Sequence, residues 1–136
     1  MKKTTEEIVN VHRLLSNAKV TKLTGVEKLI LIQLFNELTK CVEEYNKFLK
    51  NIGNEIEGDE FNDIRDKIKS GKELDKNDQE VAKRLDQAIY ELLQAELTKE
   101  HEINAKPLLP IAFNNFLDSN DFSAGEWATI YNFMYT

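Results

Sequence analysis

A chain of 136 residues, 41% hydrophobic and 31% charged, can bury one sizeable core and is too apolar for a disordered polymer. Its formal charge of −6 is uneven: residues 1–50 carry nine Lys/Arg against six acids, 51–102 eight against fifteen, and 103–136 one against three. That balance argues against direct nucleic-acid binding, and no apolar run approaches the length of a membrane span.

The N-terminus, MKKTTEEIVN, lacks the apolar stretch of a secretory signal, and the single cysteine, Cys41, cannot form an intramolecular disulfide. Both features fit a reducing cytoplasm. Three Ser/Thr–Glu pairs at i, i+3 have the spacing of a capping box, in which each side chain satisfies a free amide of a first helical turn: Thr4–Glu7, Thr24–Glu27 and Ser123–Glu126. The first opens a short helix with Ile8, Val11, Leu15 and Ala18 on one face. The second opens a long one, in which Leu31, Phe35, Leu38, Val42, Tyr45, Leu49 and Ile52 alternate four and three apart, the repeat of a helix lying along another helix. Gly53 supplies its expected stop.

Asp59 is the expected cap of a shorter helix bearing Phe61, Ile64 and Ile68, which ends near Ser70-Gly71. Asp75 starts a second long helix, with Val81, Leu85, Ala88, Leu92 and Ala95 again at four–three spacing and Ile89 and Leu93 widening the stripe. Two long helices with matching seams predict an antiparallel hairpin over about residues 24–98. Pro107 and Pro110 forbid a helix through the following stretch, so 100–106 reads as extended, compatible with a minimal two-stranded element. A short helix over Ile111–Leu117 and one from Ser123 complete the chain. The aromatic-rich segment 107–136 contains Phe113, Phe116, Phe122, Trp127, Tyr131, Phe133 and Tyr135. The expected fold class is all-α, one helical domain over 1–136.

Candidate chemistry is sparse. His101-Glu102 begins like a zinc-protease helix, but position 105 is Ala where the second histidine belongs, and His12 lies far upstream. A calcium loop with Gly58 at its sixth position would start at Gly53 and end at Ile64; one built on Gly71 puts Ile68 third and Asn77 last. Neither supplies the required carboxylates. Cys41 sits beside a core position and reads as a small buried hydrophobe. The five glycines are scattered singly, so no phosphate-binding loop is present. No catalytic residue, metal or cofactor is therefore expected.

Two features point to binding. The acidic stretch 55–66, with Glu55, Glu57, Asp59 and Glu60, is either a solvated face or an imitation of nucleic acid. In the last helix Trp127, Ile130, Tyr131 and Met134 share one face, expected to be core, which leaves Phe133 and Tyr135 on its flanks. Phe133, Tyr135 and Phe122 are thus the expected aromatic contacts for a partner, since Tyr and other aromatics are enriched at interfaces.

The order of these pieces, "TTEEIVNVHRLL", a long helix ending "EEYNKFLKNIG", a charged middle leading to "ELLQAELTKEHEINAKPLLPIAFNNF", and the end "FSAGEWATIYNFM", resembles a family of small tailed-phage proteins known only as a domain of unknown function. The resemblance implies a phage or prophage setting and no particular activity. The resulting expectation is a non-enzymatic protein-binding module in the bacterial host cytoplasm or the virion. Its role would be a small acidic inhibitor or adaptor acting on a host defence protein, or alternatively a virion or assembly component forming a symmetric oligomer.

Overall fold

The computed structural model describes every residue from Met1 to Thr136. Six helices and one two-stranded sheet follow in the order β1 (Lys2–Thr4), α1 (Thr5–Ser16), α2 (Gly25–Glu55), α3 (Asp59–Lys69), α4 (Lys76–Leu97), β2 (Glu100–Glu102), α5 (Pro110–Asp118) and α6 (Ala124–Tyr135). The fold is all-α with a minimal strand pair. The chain divides into two compact units, Met1–Glu44 with Thr98–Thr136, and Tyr45–Leu97.

All three capping boxes form. Thr4 Oγ1 accepts from Glu7 N while Glu7 Oε1 accepts from Thr4 N. The same exchange joins Thr24 with Glu27 and Ser123 with Glu126. Each satisfies donors that a helix start would otherwise leave without partners.

In the first unit, α1 buries Ile8, Val11, Leu14 and Leu15, and α2 buries Leu31, Leu34 and Leu38. They join Ile103, Leu108, Ala112, Phe113, Phe116, Ile130, Phe133 and Met134 in one cluster, so both short C-terminal helices complete this core. α5 opens on Pro110, whose missing N–H costs nothing in a first turn. Strand β2 lies within the stretch expected to be extended. Its partner β1, which the sequence pattern did not reveal, runs antiparallel with Lys2 opposite Glu102 and Thr4 opposite Glu100.

The second unit is built on α3 and α4, where Ile64, Val81 and Leu85 are buried with Ile56, Phe61, Leu74, Ala82 and Ile89 around them. Asp75 caps α4 as expected, accepting from Asp78 N at 2.8 Å, and Lys67 Nζ bridges both oxygens of Asp78 at 2.8 and 3.0 Å. That hydrogen-bonded ion pair holds the Asp78 carboxyl below its ordinary pKa and the Lys67 ammonium above its own.

Three expectations need correction. The seam read along α2 as half of a hairpin is divided: Leu31 and Leu38 are buried with Leu34 in a cluster that holds no α4 residue, while Leu49 is 40% exposed. The buried leucines, with partly buried Phe35 and Val42 beside them, share their core with residues of α1, α5 and α6 of the first unit. Gly53 does not stop α2, which runs on to Glu55; the chain turns instead at Gly58, whose φ of 147° no other residue adopts readily. Asp59 is accordingly the first residue of α3, not its cap.

Candidate partner-binding surface

The exit of α1 runs into an irregular segment, residues 17–24, that is fastened to the C-terminal end of α5. Asn120 Oδ1 accepts from Lys19 N at 2.6 Å, its Nδ2 donates to Lys19 O at 2.7 Å and to Phe116 O at 2.9 Å, and Ser119 Oγ accepts from Lys22 N at 3.0 Å. Asn120 thereby treats Lys19 as a strand neighbour would. These bonds hold a segment that has no helix or sheet of its own against α5.

The anchored segment forms one wall of an apolar cavity of about 170 Å³. Leu15, Ala18 and Val20 line that side; Leu31, Ile32 and Phe35 of α2 line the other, and Lys28 is the only charged residue in the lining. Behind Phe35 the His12 ring stacks at 4.7 Å between centroids and 5° between planes. Thr39 Oγ1 spends its single hydrogen on Phe35 O at 2.8 Å, so it can only accept from His12 Nε2 at 3.0 Å. The neutral ring therefore carries its proton on Nε2, and burial pushes its pKa below the usual histidine value. His12 thus braces a wall of the cavity.

Ile32 also belongs to a second feature. Val26, Leu29 and Ile32, three residues apart on α2, are 72%, 60% and 52% exposed. At that spacing they form a continuous apolar stripe that borders the cavity through Ile32. Isolated exposed apolar side chains are ordinary, but an aligned set beside an apolar hollow is the pattern of an interaction site.

The expected contacts fall elsewhere. Phe133 is 3% exposed, buried in the first unit's core with Lys3 Nζ 5.1 Å from its ring centre. Trp127 and Tyr131, expected to be core, are 42% and 45% exposed, while Ile130 and Met134 are buried as read, so the buried face of α6 is rotated from the expected one toward Phe133. The cause lies outside α6: the α1 face and the inward-turned Lys3 of β1 select the Ile130–Phe133–Met134 stripe. Tyr135 is half-buried, its hydroxyl donating to Leu108 O at 2.5 Å, and burial lifts its pKa to about 12. Phe122 is half-buried against Phe116 at 5.6 Å. Of these three, Phe133 alone is withdrawn from the surface; Tyr135 and Phe122 are each partly covered within the chain. The acidic residues Glu55, Glu57, Asp59 and Glu60 are exposed in the second unit, and Glu60 pairs with Arg84 at 3.0 Å.

His101 Nε2 is 2.7 Å from Thr5 Oγ1, and no three His, Cys, Asp or Glu side chains gather in a metal-binding group. Cys41 is half-buried, and burial, with Glu44 and Glu37 nearby, raises its thiol pKa, the direction opposite to nucleophilic activation. No helix is long and apolar enough to cross a membrane.

The geometry defines a small all-α protein whose most distinctive surface is an apolar stripe beside a braced hollow. No protein family, curated protein or solved structure matches this chain.

Proposed function

We propose that this chain is a protein-binding module that acts by occupying a partner rather than by catalysis, and that the partner seats on the Val26–Leu29–Ile32 stripe. The carrying observation is three large aliphatic side chains, each more than half exposed and three residues apart along one helix, next to an apolar cavity. In the phage or prophage setting implied by the resemblance, the target is a host defence protein and the module an inhibitor or adaptor working in the bacterial cytoplasm. A second reading, a virion or assembly component, has the same stripe in its favour, since an exposed helical stripe can meet its own copy across a two-fold axis.

A photoreactive residue in place of Ile32 tests this reading, with one in place of the exposed Asp86 as control. After irradiation in infected cells, the Ile32 site is expected to crosslink one defined protein and the Asp86 site none. Equal crosslinking from both positions, or none from either, refutes the assignment of the surface. Stoichiometric copies in purified particles would decide for the virion role.

A further inference from the structure

The hollow itself has the size and lining of a site for a small molecule. Its volume of about 170 Å³ slightly exceeds the roughly 150 Å³ of an engineered protein cavity that stays dry and takes up benzene. Leu15, Ala18 and Val20 face Leu31, Ile32 and Phe35 across it, so the body of an occupant is met by apolar side chains. Ala18 and Val20 belong to the segment tied to Asn120 and Ser119, and the Phe35 ring lies against His12. Protein interiors leave few voids larger than a water molecule, and an apolar concavity with one placed polar group is the usual form of a ligand site. This volume limits the occupant to a single ring or a short branched chain.

The placed polar group is Lys28. It is the only charged residue of the lining, is half-buried, and its ammonium has neither ion pair nor hydrogen bond within the chain. The carboxylates on the same helix nearest to it are held elsewhere. Glu27 accepts from Thr24 N at 2.9 Å, and Glu37 accepts from Asn104 N at 2.7 Å and Ala105 N at 2.8 Å. Asp118, Asp121 and Glu126 border a different hollow, with Asn17 and Lys19. The chain's negative charge lies mainly in 51–102, whereas residues 1–50, which supply the entire lining, carry nine Lys/Arg against six acids.

From the apolar hollow and its one unanswered cation we infer a binding site for a compact carboxylate, aromatic or branched aliphatic. The hydrocarbon body leaves water for the hollow, and the carboxylate meets the Lys28 ammonium beside an apolar wall, where the attraction is stronger than in bulk water. The inference does not depend on what seats on the Val26–Leu29–Ile32 stripe.

The test uses the full chain with labelled Leu, Val and Ile methyl groups and three probes of one shape: p-toluate, p-toluamide and p-methylbenzylammonium. Titration followed by NMR is expected to show p-toluate binding saturably with a Kd of roughly 1 mM or tighter, within reach of a ligand of about ten non-hydrogen atoms. The shifted methyls should be those of Leu15, Val20, Leu31 and Ile32. The ammonium probe should bind at least about tenfold more weakly, as expected for a like charge placed against Lys28. Lys28→Met keeps an apolar stem; it should lower the affinity for p-toluate to that for p-toluamide and leave the latter unchanged. Ala18→Phe should fill the hollow and abolish binding of all three with circular dichroism unchanged; if that variant does not fold, the Lys28→Met comparison decides alone. No saturable binding of any probe, or shifts confined to other methyls, overturns the site. Equal affinity for p-toluate and its ammonium twin, or a preference that survives Lys28→Met, overturns the assignment of a carboxylate ligand.

Discussion

Two leucines of α2, five residues apart, separate the core from the proposed surface in one comparison. Leu34 is fully buried among the first unit's apolar side chains, whereas Leu29 is 60% exposed. Both are well inside the helix, so Leu→Ala changes intrinsic helix propensity equally and slightly at each. At Leu34 the substitution removes the transfer contribution and leaves a cavity, and should cost about 3–5 kcal/mol. At Leu29 only two fifths of the side chain is covered; since complete burial is worth about 1.5–3 kcal/mol, the loss should be roughly 1 kcal/mol or less. With roughly 3–5 °C of melting temperature per kcal/mol for a chain of this size, Leu34→Ala should melt about 10–20 °C lower and Leu29→Ala within about 5 °C of the parent. Thermal unfolding followed by circular dichroism reads both, and urea titration checks that the slope of the transition is unchanged. If Leu29→Ala melts as low as Leu34→Ala, the stripe is covered by the protein itself and cannot be a docking surface.

The aromatic helix offers a second comparison: Phe133→Ala should lose about 3–5 kcal/mol, because its ring is buried and carries Lys3. Trp127→Ala should be markedly milder in the same urea titration, and an inverted order would restore the opposite assignment of faces. Asp78 contributes stability as a carboxylate, because its folded pKa lies below the unfolded value of about 3.8. Asp78→Asn should therefore be less stable than the parent at neutral pH, and the gap should close as pH falls from 3.8 through the lower folded pKa; a gap that persists in strong acid would rule out the ion pair as its source. Gly58→Ala must hold a φ of 147° with its Cβ 3.2 Å from the Phe61 ring, and should cost about 1–3 kcal/mol in chemical denaturation.

Local signals proved legible and tertiary choices did not. A capping box is complete within four residues, so Thr4–Glu7, Thr24–Glu27 and Ser123–Glu126 could be read without knowing the fold. The α2 stripe was ambiguous because "LILIQLF" is apolar nearly all round: the same letters satisfy a seven-residue seam through Phe35 and a 3.6-residue stripe through Leu34. Which side is buried depends on α1 upstream and on α5 and α6 more than seventy residues further on. The same run concealed the binding stripe, since a helix apolar on several sides does not announce which side meets water. In α6, Trp127–Ile130–Tyr131–Met134 and Ile130–Phe133–Met134 are overlapping faces of equal regularity, and a lysine from β1 helps decide between them. β1 itself has no pattern in three residues; only its pairing makes it a strand.

That pairing has a consequence for how the molecule comes into being. Lys2 meets Glu102, and the first unit draws its core from Met1–Glu44 and from Thr98 onward, with the whole of Tyr45–Leu97 between them. At a synthesis rate of about 5–20 residues per second, the apolar faces of α1 and the first half of α2 wait roughly 5–18 s until α6 is complete. The intervening unit needs only neighbours within its own 45–97, so it can assemble while the older segment is still open. Closing a loop of that length adds only logarithmically to the entropic cost, so delay rather than instability is the burden on the nascent chain. During that interval Ile8, Val11, Leu34 and Leu38 are accessible to any chaperone at the ribosomal exit, until α5 and α6 join them in one core.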